Sequence, residues 1–140
     1  MRRGTPAVMA ELMIGENENN DTVVPRRFTT LVVDDEPDLA NLAGELLTYH
    51  GIAALVVYSA QEALGLLEAR SDIDAIFSDV MMPAMTGLDL AETVTKTYPS
   101  IKIVLTSGFI ALNYWEQQTR QYRFVRKPYS IDSVIQLLRY

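Results

Sequence analysis

The run Phe28-Thr29-Thr30-Leu31-Val32-Val33-Asp34-Asp35-Glu36-Pro37 decides the fold. It opens as a short apolar, β-branched block, the composition of a strand buried on both faces, and then switches to three acidic residues and a proline. Proline is tolerated in the first turn of a helix, so a strand ending at Val33 and a helix starting at Pro37 are separated only by Asp34, Asp35 and Glu36. The helix runs on through Leu39, Leu42, Ala43, Leu46 and Leu47 and stops at His50-Gly51, where glycine accepts a left-handed C-terminus.

The same alternation repeats outward from this run. Residues 52–58 predict a second strand. Ser59 caps a helix carrying Ala60, Ala63, Leu64 and Leu67, and residues 73–78 form a third strand that ends in Asp79. A helix over 87–98 follows. A fourth strand over 101–105 runs into Thr106-Ser107-Gly108, and a helix is expected over 110–121. Residues 124–126 are a short fifth strand, and 130–140 a closing helix. Five β/α units predict an α/β fold, a doubly wound, five-stranded parallel sheet with helices on both faces, and 2-1-3-4-5 is taken as its strand order.

Residues 1–27 stand apart. Glu16-Asn17-Glu18-Asn19-Asn20-Asp21 is polar with no core-forming period, and Pro25 precedes the first strand, so a disordered leader is expected ahead of one domain over 28–140. Within the leader, the apolar segment from Val8 to Ile14 is long enough for a turn or two of helix against a partner.

Composition narrows the chemistry. The chain has 140 residues, of which 49% are hydrophobic and 21% charged, enough to build one core. No apolar run approaches the roughly 18 residues of a membrane span and no signal peptide is visible, so a cytoplasmic protein without a membrane partner is expected. The net charge of −6 argues against binding a nucleic-acid backbone. With no cysteine and only His50 as histidine, metal chemistry must use oxygen ligands. Arg120, Arg123, Arg126, Lys127 and Arg139 gather near the C-terminus, which is expected to be a solvated face or a docking surface.

In open parallel sheets the functional crevice lies beyond the carboxyl ends of the strands. Asp34, Asp35 and Glu36 follow strand one, Asp79 strand three, Thr106 and Ser107 strand four, and Lys127 strand five. In the order 2-1-3-4-5, strands one and three are neighbours, so Asp34, Asp35 and Asp79 converge. Three carboxylates repel one another unless a cation sits among them, and oxygen ligands select Mg2+ or Mn2+. Such an ion lowers the repulsion between a phosphoryl dianion and an attacking carboxylate, which suits Asp79 as nucleophile. Lys127 offers a point charge and Thr106 a hydroxyl for the same phosphoryl group.

Four motifs, Val32-Val33-Asp34-Asp35-Glu36, Asp79-Val80-Met81-Met82-Pro83 with Gly87, Leu105-Thr106-Ser107-Gly108, and Lys127-Pro128, occur in order at four strand ends. At these residues the chain closely resembles the receiver domains of two-component response regulators, over about residues 28–140. The resemblance implies a flavodoxin-like fold, Asp79 as phosphoacceptor, and Asp34, Asp35, Asp79 and the Met81 backbone carbonyl as cation ligands. It further implies Thr106 as switch hydroxyl, Phe124 as switch aromatic, Lys127 as phosphate contact, a cis Lys127-Pro128 bond, and Met81 and Gly108 as positions that tune dephosphorylation. The expected function is that of a single-domain response regulator. A sensor histidine kinase or histidine phosphotransfer protein is its phosphoryl donor, and its output is contact with a downstream protein, with a homodimer left open. On this view it catalyses only its own modification and has no independent substrate. Motif wording around Gly108-Phe109 and Pro128-Tyr129 also resembles receivers attached to hybrid kinases, which adds phosphorelay shuttling. Tyr114 and Trp115 fall in the region that the family uses for output.

Simpler roles exist for each residue taken alone. Asp35 or Glu36 can cap the first helix, Asp79 can be a turn residue, Lys127-Pro128 a loop, Phe124 a core residue, and His50 a solvated helix end. Two other functions fit the same residues: a phosphate-independent receiver-like scaffold, and a magnesium phosphohydrolase with an aspartyl nucleophile. Against the hydrolase, strand one ends in adjacent Asp34-Asp35 rather than Asp-x-Asp.

Overall fold

The computed structural model describes residues 26–108 and 121–140. Its elements run β1 (Thr29–Val33), α1 (Pro37–Tyr49), β2 (Ala53–Val57), α2 (Ala60–Ala69), β3 (Ala75–Asp79), α3 (Gly87–Thr97), β4 (Lys102–Ser107), β5 (Arg123–Arg126) and α4 (Ile131–Arg139). The strands form one parallel sheet, as the alternation predicted, in the expected order β2-β1-β3-β4-β5. The helix expected over 110–121, with Tyr114, Trp115 and Arg120, lies outside the described residues, as does the leader up to residue 25.

Alternation along the strands divides the core between two faces. Leu31, Val33 and Ile76 pack with Ala60, Ala63 and Leu67 of α2 and Leu90 and Val94 of α3. Val32, Ala75, Phe77 and Val104 face the other way, against Ala40, Ala43 and Leu47 of α1 and Val134 and Leu138 of α4. A smaller cluster of Val80, Leu88, Ala91 and Leu105 takes in the half-buried Phe124, whose strand pairs it with Leu105.

Several boundaries differ from those expected. Thr106 and Ser107 are the last residues of β4 and are buried, because pairing with Val125 and Arg126 carries the ladder to the strand end. Of the apolar residues read along α1, Ala43 and Leu47 are buried but Leu39 and Leu42 are exposed; the sheet is met by Ala40, Ala43, Gly44 and Leu47. Small residues win because they let α1 lie close: a Cβ added at Gly44 would stand 2.7 Å from Val56 Cγ2.

The caps explain where helices start. Ser59 accepts from the Glu62 N–H, as expected, and Thr86 and Asp89 form a reciprocal capping box at α3. Helix α1 has Glu36 at its N-cap but no side-chain cap, so neither Asp35 nor Glu36 is spent on capping. Gly51 has φ 87°, the left-handed stop expected after His50, whose Nδ1 lies 2.9 Å from the Leu46 carbonyl oxygen.

Two of the arginines near the C-terminus, Arg123 and Arg139, have structural partners. Arg123 donates to the Leu137 and Tyr140 carbonyls, and Lys102 to that of Arg139, so cations meet the negative end of α4. The Arg139 guanidinium sits 5.5 Å from the centre of the Phe28 ring. Arg26 pairs with Asp74 at 2.7 Å and fixes where the chain enters the domain.

Candidate functional site

The register that builds the sheet also builds the site. Val33 pairs with Ser78, so Asp34 at the end of β1 stands beside Asp79 at the end of β3. Asp79 pairs in turn with Thr106, and the Val80 N–H donates to the Thr106 carbonyl at 2.9 Å. Asp34 and Asp79 are buried and Asp35 half-buried, and each offers an oxygen within 4.8 Å of the others. The convergence expected of Asp34, Asp35 and Asp79 is therefore present.

Lys127, one residue past β5, places Nζ 3.4 Å from both Asp34 Oδ2 and Asp79 Oδ2. One ammonium does not offset the crowding. Burial pushes the Asp79 carboxyl up to about 6; Lys127 pulls against this, Asp34 adds to it, and the Met81 N–H, 3.4 Å from Asp79 Oδ1, opposes it weakly. For Lys127 burial disfavours the charge, yet Asp79 and Asp34 outweigh it and hold its pKa above the ordinary value. Asp79 thus shifts upward chiefly because it is buried, and Lys127 because two carboxylates face it.

Asp34 has a second task. Its Oδ1 accepts from the Glu36 N–H at 3.0 Å, which fixes the carboxylate within the turn between β1 and α1. Thr106 Oγ1 is buried at the strand end with no hydrogen-bond partner among the described residues. A buried hydroxyl left unpaired is costly, so its presence beside Asp79 suits a group that arrives from outside. This hydroxyl and the three converging oxygen donors fit a hard divalent cation and a phosphoryl group together.

Met81 follows the site in the loop after β3 and is 40% exposed, whereas Met82 is buried and Met85 packs against the α2/α3 core. The Lys127-Pro128 bond is cis, as the resemblance implied.

Two positions carry more than their sequence signal suggested. Gly87, quoted above only as part of a motif, packs directly on Asp79: a Cβ there would collide with the Asp79 carbonyl oxygen and approach Val80 Cα at 3.0 Å. Its N–H donates to the Val80 carbonyl at 2.9 Å, closing the loop behind the carboxylate. Tyr129 packs edge-on against Phe77, with ring centres 5.4 Å apart. Burial raises its phenol pKa, partly countered by Lys127, and it lines a cleft with Lys127 and the α1 residues Leu39 and Leu42. A lone tyrosine after Lys-Pro gives no sequence signal of that placement.

Comparison with known proteins agrees with this geometry. The family model described as the response regulator receiver domain matches residues 30–139. The transcriptional regulatory protein CpxR of Klebsiella pneumoniae is 36% identical over 77 residues, covering 55% of this chain and 32% of the relative. The transcriptional regulatory protein GlrR of Escherichia coli is 29% identical over 110 residues, covering 77% and 24%. The chain thus spans about a quarter to a third of the length of these relatives. A solved response regulator receiver protein from Pseudomonas putida superposes with a TM-score of 0.74 at 25% identity, covering 81% of this chain and 97% of that one. With the family's sheet order, its motifs and a match over most of its length, the chain belongs to the response regulator receiver domain family.

Proposed function

We propose that this receiver takes a phosphoryl group from a phosphohistidine onto Asp79 and signals by protein contact. The observation that carries this reading is the meeting of Asp34, Asp35, Asp79, Lys127 and the unpaired Thr106 hydroxyl at adjoining strand ends. Asp79 attacks phosphorus, the P–N bond to the donor imidazole breaks, and that nitrogen takes a proton from solvent. Lys127 has both carboxylates within reach and transfers its attraction to the phosphoryl oxygens once they arrive. Thr106 donates its hydroxyl to one of those oxygens, giving the buried group its missing partner. Asp34, Asp35, Asp79 and the Met81 carbonyl hold Mg2+ or Mn2+, which supplies the positive charge that lets a dianion approach a carboxylate. Water later hydrolyses the acyl phosphate and resets Asp79, with Met81 and Gly108 flanking the route.

The response to phosphorylation is a population shift in which the drawn-in Thr106 makes room for Phe124 in the cluster of Val80, Leu88, Ala91 and Leu105. A sensor histidine kinase or histidine phosphotransfer protein supplies the phosphoryl group. The downstream partner is a protein, and the protein acts in the cytoplasm as a switch without an independent substrate. The domain occupies about residues 28–140, preceded by the leader.

The test is intact-mass spectrometry after incubation with acetyl phosphate. One hydroxylamine-labile phosphoryl adduct is expected with magnesium, and none with chelator or in Asp79→Asn. A folded, cation-binding protein that takes no phosphoryl group from several donors would favour the phosphate-independent scaffold.

A further inference from the structure

On the α1 side of the site lies an apolar groove of about 490 Å³. Leu39, Leu42 and Leu46 form one wall and Pro128 and Tyr129 the other, with Lys127 at the rim. Leu39 is 43% and Leu42 51% exposed, although both belong to a helix whose neighbouring stripe is fully buried. Adjacent exposed leucines beside a cleft mark a surface that something covers.

The route of the chain indicates what that is. Phe28 packs into the same core cluster as α1 and α4, and Arg26 is tied to Asp74, so the leader reaches the domain on the sheet face that carries the groove. Residues 15–25 are mostly polar and extended span about 36 Å. Helix α1, at 13 residues, is about 20 Å long, so the tether reaches any point along it. Beyond the tether lies the leader's apolar segment, Val8-Met9-Ala10-Glu11-Leu12-Met13-Ile14, in which Met9, Leu12 and Met13 recur at helical spacing. Methionine adapts to irregular apolar clefts, and a tether of this kind provides a local concentration of about millimolar.

We infer that segment 8–14 of the same chain seats in the groove between α1 and Pro128-Tyr129 and masks that approach to Asp79. The seating stands on the apolar match and the tether alone; its effect on phosphotransfer rests on the reading of Asp79 given above. A protein-borne phosphohistidine needs a wide approach and is slowed, while a small phosphodonor still enters.

The full chain has no cysteine, so Glu11→Cys carries a single nitroxide label without altering the apolar side chains. The amide signals of Leu39, Leu42, Leu46 and Tyr129 are expected to lose intensity beside the label while those of α3 do not. The loss disappears in Leu42→Asp and in the double variant Leu12→Glu with Met13→Glu. Undiminished groove signals, or a loss spread evenly over both sheet faces, overturn the proposal. If the loss appears only between labelled and unlabelled chains in a mixed sample, a second copy is the occupant and the intramolecular seating is wrong. Because the measurement uses no phosphate, its failure is distinct from failure of Asp79 to accept a phosphoryl group.

Discussion

Gly87 lies so close to Asp79 that a single added carbon at residue 87 would occupy the space of the Asp79 carbonyl oxygen. The end of β3 and the start of α3 are thereby packed backbone against backbone, which fixes the main chain that carries the carboxylate. Gly87→Ala must push this loop away, at about 1–3 kcal/mol, the usual penalty of overpacking. Urea denaturation should show that loss, and cation affinity should fall with it.

The raised pKa of Asp79 makes stability depend on pH with a definite sign. The folded carboxyl holds its proton up to about 6 against an ordinary 3.8. Between roughly pH 4 and pH 6 the folded state therefore binds more protons than the unfolded one, and stability falls as pH rises through that window. Without divalent cation, Asp79→Asn should be more stable than wild type at neutral pH by about 1–3 kcal/mol, with the gain fading near pH 4. Thermal melts across this range check it, and magnesium should raise the melting temperature of wild type far more than that of the variant.

Lys127 competes with a cation for the same carboxylates. Lys127→Met keeps most of the stem volume but removes the ammonium 3.4 Å from Asp34 and Asp79. Magnesium should bind more tightly by calorimetry, while phosphoryl uptake from acetyl phosphate should slow by about 10- to 1000-fold. Opposite signs in one variant separate charge balance from general damage to the site.

The Thr106 hydroxyl is buried without a partner among the described residues, so it costs stability in the unphosphorylated state. Thr106→Val should leave stability unchanged or raise it by about 1 kcal/mol, since an unsatisfied polar group is replaced by an apolar one. The amide shifts that phosphorylation produces around Phe124 should be lost in this variant.

Strain in the loop after the site is also testable. Ala84 has φ 67°, a left-handed conformation that costs a residue with a Cβ about 1–2 kcal/mol. Ala84→Gly should be neutral to stabilising by up to about 1 kcal/mol, and Ala84→Val destabilising, both by urea denaturation.

The parallel α/β architecture and the polar residues at its carboxyl edge were legible because strand-length apolar runs ended, one after another, in Asp34-Asp35, Asp79, Thr106 and Lys127. Periodicity alone could not narrow the apolar residues of α1 to one stripe: Ala43 and Leu47 are buried as read, but Leu39 and Leu42 are exposed, and close packing of Gly44 on Val56 adds Ala40 and Gly44 to the buried side. The roles of Gly87 and Tyr129 were hidden for a similar reason, since each depends on what lies across from it in space. The pairing of Arg123 with carbonyls at the end of α4 likewise has no local signature, being a contact between residues 14 and 17 apart.

The central claim is that Asp79, among three neighbouring carboxylates, is the one that takes the phosphoryl group. Borohydride reduces an acyl phosphate to an alcohol, so the modified aspartate becomes homoserine and can be located by peptide mass spectrometry. After treatment with acetyl phosphate and magnesium, homoserine is predicted at residue 79 alone. Homoserine at residue 34 or 35, or at residue 79 equally with and without the phosphodonor, would contradict the account.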